Sequence, residues 1–149
     1  MERPNGSPCL QRNTNRMGQT LIMADSLLLD TDVLIDFFRG NSKAVAFVNK
    51  NSSRIILSSI VVAELYAGVK GDAELTVLEN FVSLFRTIPV TSEIARMGGL
   101  YKRDYGKSHG VGFADAIIAA TCEAENADLK TLNVKHYPMI KGLRPTYKK

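Results

Sequence analysis

The chain contains no tryptophan, only two cysteines and only two histidines among its 149 residues. Cys9 and Cys122 are too far apart to make a spaced ligand motif or an obvious disulfide framework, and such sparse usage fits a reducing compartment. His109 and His136 lack the spacing of a zinc ligand pair. No uncharged apolar run approaches the ~18 residues of a membrane span. The early apolar stretch 27–38 is interrupted by Asp30, Asp32 and Asp36, so it does not read as a signal-peptide core. A cytoplasmic protein without membrane contact is expected. No glycine-rich phosphate loop with a lysine occurs, which argues against a nucleotide triphosphatase. No internal repeat and no second domain are visible.

What is present suits one soluble globule. Hydrophobic residues make up 45% of the chain, an ordinary fraction. A chain of this length buries roughly 68–70% of its unfolded surface as one domain. The net charge is +4, and much of the excess lies at the ends. Residues 1–23 carry Arg3, Arg12 and Arg16 against Glu2. From Lys130 onward six cations (Lys130, Lys135, Lys141, Arg144, Lys148 and Lys149) meet no acid. A basic tail suits a polyanion such as nucleic acid; a solubilising, frayed terminus is the plain alternative.

Residues 1–25 read as a flexible N-terminal extension or an upstream start artefact, with Met23 as a candidate start. A single domain follows over 26–149. Short apolar strands alternate there with helices. Strands are expected at 27–29, 54–58, 87–90 and 129–132, with a short last strand at 142–146. Helices are expected at 31–39, stopped by Gly40, and at 42–51, 60–69 (capped by Ser59), 72–85, 91 to about 105, and 113–126, with a loop over 106–112. Residues 113–126 are apolar nearly all round, the mark of a buried helix. Repeated strand–helix units predict an α/β fold: a mainly parallel central sheet with helices on both faces.

Three carboxylates stand alone in apolar surroundings. Asp30 ends the run Leu27-Leu28-Leu29-Asp30-Thr31-Asp32-Val33-Leu34-Ile35, at the carboxyl end of a strand, where open α/β sheets bind ligands. Glu64 is the one charge between Ile55 and Val69, and Asp115 the one charge between Val111 and Cys122. Buried carboxylates are costly unless paired, neutralised or metal-bound. All three can face one rim of the sheet and share a hard cation, Mg²⁺ or Mn²⁺. Each also has an ordinary explanation. Asp30 can be a helix N-cap, Glu64 can pair with a distant Arg such as Arg86, and Asp115 can favour its helix N-terminus. Asp32 is expected to support the ligands from behind. Asp36, Arg39 and Lys43 read as solvated surface charge, His109 as a flexible surface residue, and Met97 and Tyr101 as core packing.

Three segments in order carry a resemblance: Leu28-Leu29-Asp30-Thr31-Asp32-Val33-Leu34-Ile35-Asp36, then Ser58-Ser59-Ile60-Val61-Val62-Ala63-Glu64-Leu65-Tyr66-Ala67-Gly68, then Ala114-Asp115-Ala116-Ile117-Ile118-Ala119-Ala120-Thr121. Together they resemble PIN-domain ribonucleases, most of all the VapC-type toxins of toxin–antitoxin pairs, over about residues 26–146. The resemblance implies a metal-dependent endoribonuclease acting on structured RNA, typically transfer or ribosomal RNA. It also implies a homodimer restrained by a cognate VapB-type antitoxin whose tail blocks the acidic site. Asp30, Glu64 and Asp115 match the acidic site residues, and Thr131 a hydroxyl position near the site. The position of a frequent fourth acid falls on Asn133. An amide brings no negative charge, which favours one metal over two.

Two other functions compete. Asp30-Thr31-Asp32-Val33 fits the strand-end signature of a haloacid-dehalogenase-like phosphatase with Asp30 as nucleophile, but no correctly placed downstream acidic pair follows Gly71-Asp72. A degenerate module that binds RNA or a partner without cleaving draws its support from Asn133.

Overall fold

The computed structural model describes residues 25–149; the rest of the expected N-terminal extension lies outside the described residues. Strand β1 (Ser26–Leu29) leads into helix α1 (Thr31–Phe38) and helix α2 (Ser42–Asn51). A 3-10 turn (Ser52–Arg54) precedes β2 (Ile55–Ser58), α3 (Ser59–Ala67) and α4 (Gly71–Val82). Then come β3 (Arg86–Ile88), α5 (Ser92–His109), α6 (Phe113–Glu125), β4 (Ala127–Lys130) and a last 3-10 turn (Val134–His136).

The four strands form one parallel sheet in the order β3-β2-β1-β4. Burial follows strand position. Leu27, Leu28 and Leu29 of central β1 are all buried, as are all four residues of β2. A strand buried on consecutive residues has both faces covered, as parallel sheets require. At the edge, β4 alternates: Ala127 and Leu129 are buried, whereas Asp128 and Lys130 are half-buried. The expected architecture is therefore the observed one, a parallel sheet flanked by six helices.

Local chemistry sets the helix limits. Asp30 caps α1 and Asn41 caps α2, each accepting backbone N–H bonds on its side chain. Ser58, the last residue of β2, caps α3 by accepting from the Ile60 N–H at 3.1 Å; this is one residue earlier than the expected Ser59. The long helix α5 does not stop near Tyr105. It runs through Gly106 to His109 and ends at Gly110, whose φ of +68° supplies the left-handed C-terminal residue. An interior glycine costs a helix only about 1 kcal/mol, so Gly106 does not break it. His109 therefore sits on a helix, its Nδ1 2.7 Å from Ser108 Oγ. Gly98 marks where α5 and α6 meet most closely: a Cβ there would lie 2.9 Å from Ile117 Cγ1.

Three expectations need correction near the C-terminus. β4 is two residues earlier than 129–132, because Ala127 and Leu129, not Leu132, fill its inward positions. No strand forms over 142–146. Instead Thr146 bonds the carbonyl of Thr131 through its N–H (3.0 Å) and its hydroxyl (3.2 Å). Asp36 is not a solvated charge. It is 6% exposed, and its Oδ2 accepts from the Tyr147 hydroxyl at 2.8 Å while its Oδ1 meets Lys149 Nζ at 3.2 Å. Lys43 Nζ reaches the carbonyl of Lys148. The end of the basic tail is thus folded against α1 and α2 rather than left free.

Candidate active site

The chain builds β1, β2 and β3 outward in one direction, then returns to place β4 on the other side of β1. Strand order reverses between β1 and β4, and such a switch point opens a crevice at the carboxyl ends of the strands. Leu29 pairs with Lys130 in the final register position. The next residues, Asp30 and Thr131, consequently lie side by side in the crevice, and the Asp30 N–H donates to the Lys130 carbonyl at 2.9 Å.

Asp30 is buried and takes three donors. Its Oδ1 accepts from the Thr31 N–H at 2.8 Å. Its Oδ2 accepts from the Thr131 hydroxyl at 2.8 Å and from the Tyr137 hydroxyl at 2.8 Å. The cap bond and the two hydroxyl bonds thus fall on different oxygens. Asp115, in the first turn of α6, turns Oδ1 to the same Tyr137 hydroxyl at 3.3 Å and Oδ2 to His136 Nδ1 at 3.4 Å. Glu64 is exposed on α3 and joins the group through Thr31, whose hydroxyl donates to Glu64 Oε1 at 2.5 Å. It does not pair with Arg86, which instead bonds Glu125 at 2.9 Å. Glu64 also forms part of a groove of about 590 Å³ between α1, α3 and α4, where Ile35, Phe38 and Val77 are exposed.

The expected supporting residues separate into two kinds. Asp32 accepts from the Leu132 N–H at 2.9 Å and the Val33 N–H at 2.7 Å, so it ties the start of α1 to the segment after β4. Thr131 is fully buried and links Asp30 to Asp32, lying 3.3 Å from the latter. Asn133 is exposed, and its backbone N–H, donating to Thr131 Oγ1 at 3.0 Å, ties it to the site. Sequence reasoning missed Tyr137 and His136 as site residues. Both follow the last strand, and only the hydroxyl distinguishes Tyr137 from any other core aromatic.

The electrostatics are those of an acidic cluster that raises its own carboxyl groups. Burial and then the charge of Asp30 push Asp32 above its ordinary value. Burial and then Asp30 also push Asp115 up, against opposing pulls from His136 and Tyr137. Burial, followed by the charges of Asp30 and Asp115, drives the Tyr137 phenol far upward, so it remains a proton donor. Among the described residues, no lysine or arginine pairs with Asp30, Asp32, Glu64 or Asp115. Nor are three or more His, Cys, Asp or Glu side chains preassembled around one point to hold a metal ion. Mg²⁺, however, is usually held by one or two carboxylates and keeps several waters. An all-oxygen pair, Asp30 and Asp115, converging on one hydroxyl without a nearby fixed cation fits that donor chemistry.

Known proteins are similar to this chain in sequence and in fold. The pattern of the PIN domain matches residues 27–137. Ribonuclease VapC19 of Mycobacterium tuberculosis is 41% identical over 124 residues, covering 80% of this chain and 98% of that protein. Ribonuclease VapC10 of the same organism is 36% identical over 124 residues, covering 81% and 92%. A toxin–antitoxin complex from Klebsiella pneumoniae superposes with a TM-score of 0.73 at 27% identity, covering 83% of this chain and 100% of the matched chain. DNA-bound VapBC from Salmonella typhimurium gives a TM-score of 0.69 at 25% identity, covering 80% and 96%. With the PIN domain matched over residues 27–137 and curated VapC ribonucleases 36–41% identical over 124 residues, this chain belongs to the PIN-domain family, in its VapC group.

Proposed function

We propose that this protein is the toxin of a VapBC-type toxin–antitoxin pair, a divalent-metal-dependent endoribonuclease that cuts structured RNA such as transfer or ribosomal RNA in the cytoplasm. It works as a homodimer and is restrained by a cognate VapB-type antitoxin. The observation that carries the reading is the convergence of Asp30 and Asp115 on the Tyr137 hydroxyl at the sheet's switch point, with no ion pair to a lysine or arginine among the described residues. The curated relatives named ribonucleases supply the reaction class, and the phosphatase alternative loses its ground with the family assignment.

In this reading Asp30 and Asp115 hold Mg²⁺ or Mn²⁺, and Glu64 contributes directly or through a water. Held there, such an ion would supply an activated water for attack on the phosphodiester. Asp32 and Thr131 hold Asp30 and the adjoining loop in place. Asn133 leaves the site one acid short, which favours a single ion.

The test is cleavage of total tRNA and rRNA by metal-depleted protein with and without added Mg²⁺. Asp30→Asn and Asp115→Asn are each expected to lower cleavage by about 10²–10³-fold, the scale of losing one charge-stabilising group, with the fold retained by circular dichroism. Undiminished cleavage by a folded Asp30→Asn/Asp115→Asn double variant rejects the reading. RNA binding without cleavage by the wild type, under every divalent cation tried, identifies the non-catalytic alternative.

A further inference from the structure

Tyr137 is 1% exposed, yet its hydroxyl lies among acids rather than against a backbone carbonyl. It is 2.8 Å from Asp30 Oδ2 and 3.3 Å from Asp115 Oδ1. A phenol carries one proton, so the short contact is the hydrogen bond and the longer one is a close approach of two oxygens. The two acids come from different elements, the end of β1 and the first turn of α6, and Tyr137 follows the last 3-10 turn. One hydroxyl therefore bonds the segment after the last 3-10 turn to the end of β1 and lies beside the first turn of α6.

The same Asp30 oxygen takes a second side-chain donor, the Thr131 hydroxyl at 2.8 Å. Two hydroxyls on Oδ2 fix the plane of the carboxylate. Oδ1 keeps a single donor, the Thr31 N–H, and so retains free lone pairs. Asn133 is exposed, and its backbone joins the network, its N–H donating to the Thr131 hydroxyl and its carbonyl accepting from the His136 N–H. Orientation of Asp30 against Asp115 thus falls to hydroxyl groups and not to another carboxylate.

We propose that Tyr137 is a positioning residue of the acidic site: its hydroxyl holds the Asp30 carboxylate in the orientation, and beside Asp115, in which both reach one divalent cation. This rests on the reading that Asp30 and Asp115 hold that cation. Groups that orient metal ligands typically carry a 10–100-fold effect on metal affinity, and Tyr137 falls in this class.

The probe is Mn²⁺ added to the metal-depleted full chain, with free Mn²⁺ followed by electron paramagnetic resonance and folding by circular dichroism. Tyr137→Phe keeps the ring and removes the hydroxyl. It is expected to bind Mn²⁺ about 10–100-fold more weakly than wild type, a loss that a packing role would not produce in a folded protein. Wild-type affinity in folded Tyr137→Phe overturns the proposal. Should that variant not fold in buffer, sucrose is added to both proteins to restore folding, and wild-type Mn²⁺ affinity of folded Tyr137→Phe there overturns the proposal equally. Asp30→Asn and Asp115→Asn belong in the same titration. If they bind Mn²⁺ like wild type, the metal site itself is wrong. If they lose Mn²⁺ while Tyr137→Phe keeps it, the metal site stands and only the role of Tyr137 fails.

Discussion

The hydroxyl of Thr131 donates to Asp30 Oδ2 at 2.8 Å across 101 residues of sequence. Each residue immediately follows a strand, and β1 and β4 are neighbours in perfect register at Leu29 and Lys130. Sheet topology, not local sequence, makes this contact. It joins the first acidic segment to the segment after the last strand.

Thr131→Val tests how much that contact stabilises. It leaves buried Asp30 short of one donor and the Asn133 N–H without its acceptor. An unsatisfied buried partner costs about 1–3 kcal/mol. Urea unfolding of the metal-depleted protein is expected to show a loss in that range, and Thr131→Ser to recover most of it.

Asp36 predicts a pH dependence. Burial raises its pKa, but the Tyr147 hydroxyl and Lys149 outweigh burial and hold it below its ordinary value. A folded pKa below the unfolded one means stability that is present above about pH 3.9 and is lost as pH falls through the lower folded value. Asp36→Asn is expected to flatten the acid limb of the stability curve below about pH 4. An unchanged limb in thermal melts across that window would show that the tail does not hold Asp36.

Removing residues 147–149 strips both partners from Asp36. Lys149 is largely exposed, so its share is small, at most about 1 kcal/mol. The hydrogen bond from Tyr147 to a charged acceptor is the larger part, about 1.5–3 kcal/mol. Chemical denaturation of the truncated chain is expected to show destabilisation of that size. Adding Asp36→Asn to the truncation should return part of it.

Gly98→Ala should destabilise by about 1–3 kcal/mol, the usual cost of overpacking. The new Cβ would meet Ile117 Cγ1 at 2.9 Å and Ile117 Cα at 3.2 Å. Gly99, next along α5, has nothing within 4 Å of an added Cβ. Gly99→Ala is expected to stabilise by up to about 1 kcal/mol through helix propensity. Thermal melts of the two variants should move in opposite directions.

Much of this was legible in the sequence because the signals are local. The unbroken apolar run before Asp30 marks a strand covered on both faces, and the capping residues mark helix starts. The isolated charges at Glu64 and Asp115 stand out against apolar neighbours. What escaped depends on long-range contact. Tyr137 looks like a core aromatic until it meets Asp30, and Asp36 looks solvated until the tail folds over it. Gly106 looks like a loop residue, yet helix α5 continues until Gly110 ends it. The last expected strand fails because Thr146 makes only a local contact to one carbonyl instead of a ladder.

The central claim is that Asp30 and Asp115 share one divalent cation. An anomalous difference map from a crystal soaked in Mn²⁺ tests it most directly. A single peak is expected in contact with a carboxylate oxygen of each residue, at about the 2.0–2.1 Å of a small octahedral cation or slightly longer for Mn²⁺. A soaked crystal of active protein with no peak there, or with its peak touching neither aspartate, would contradict it.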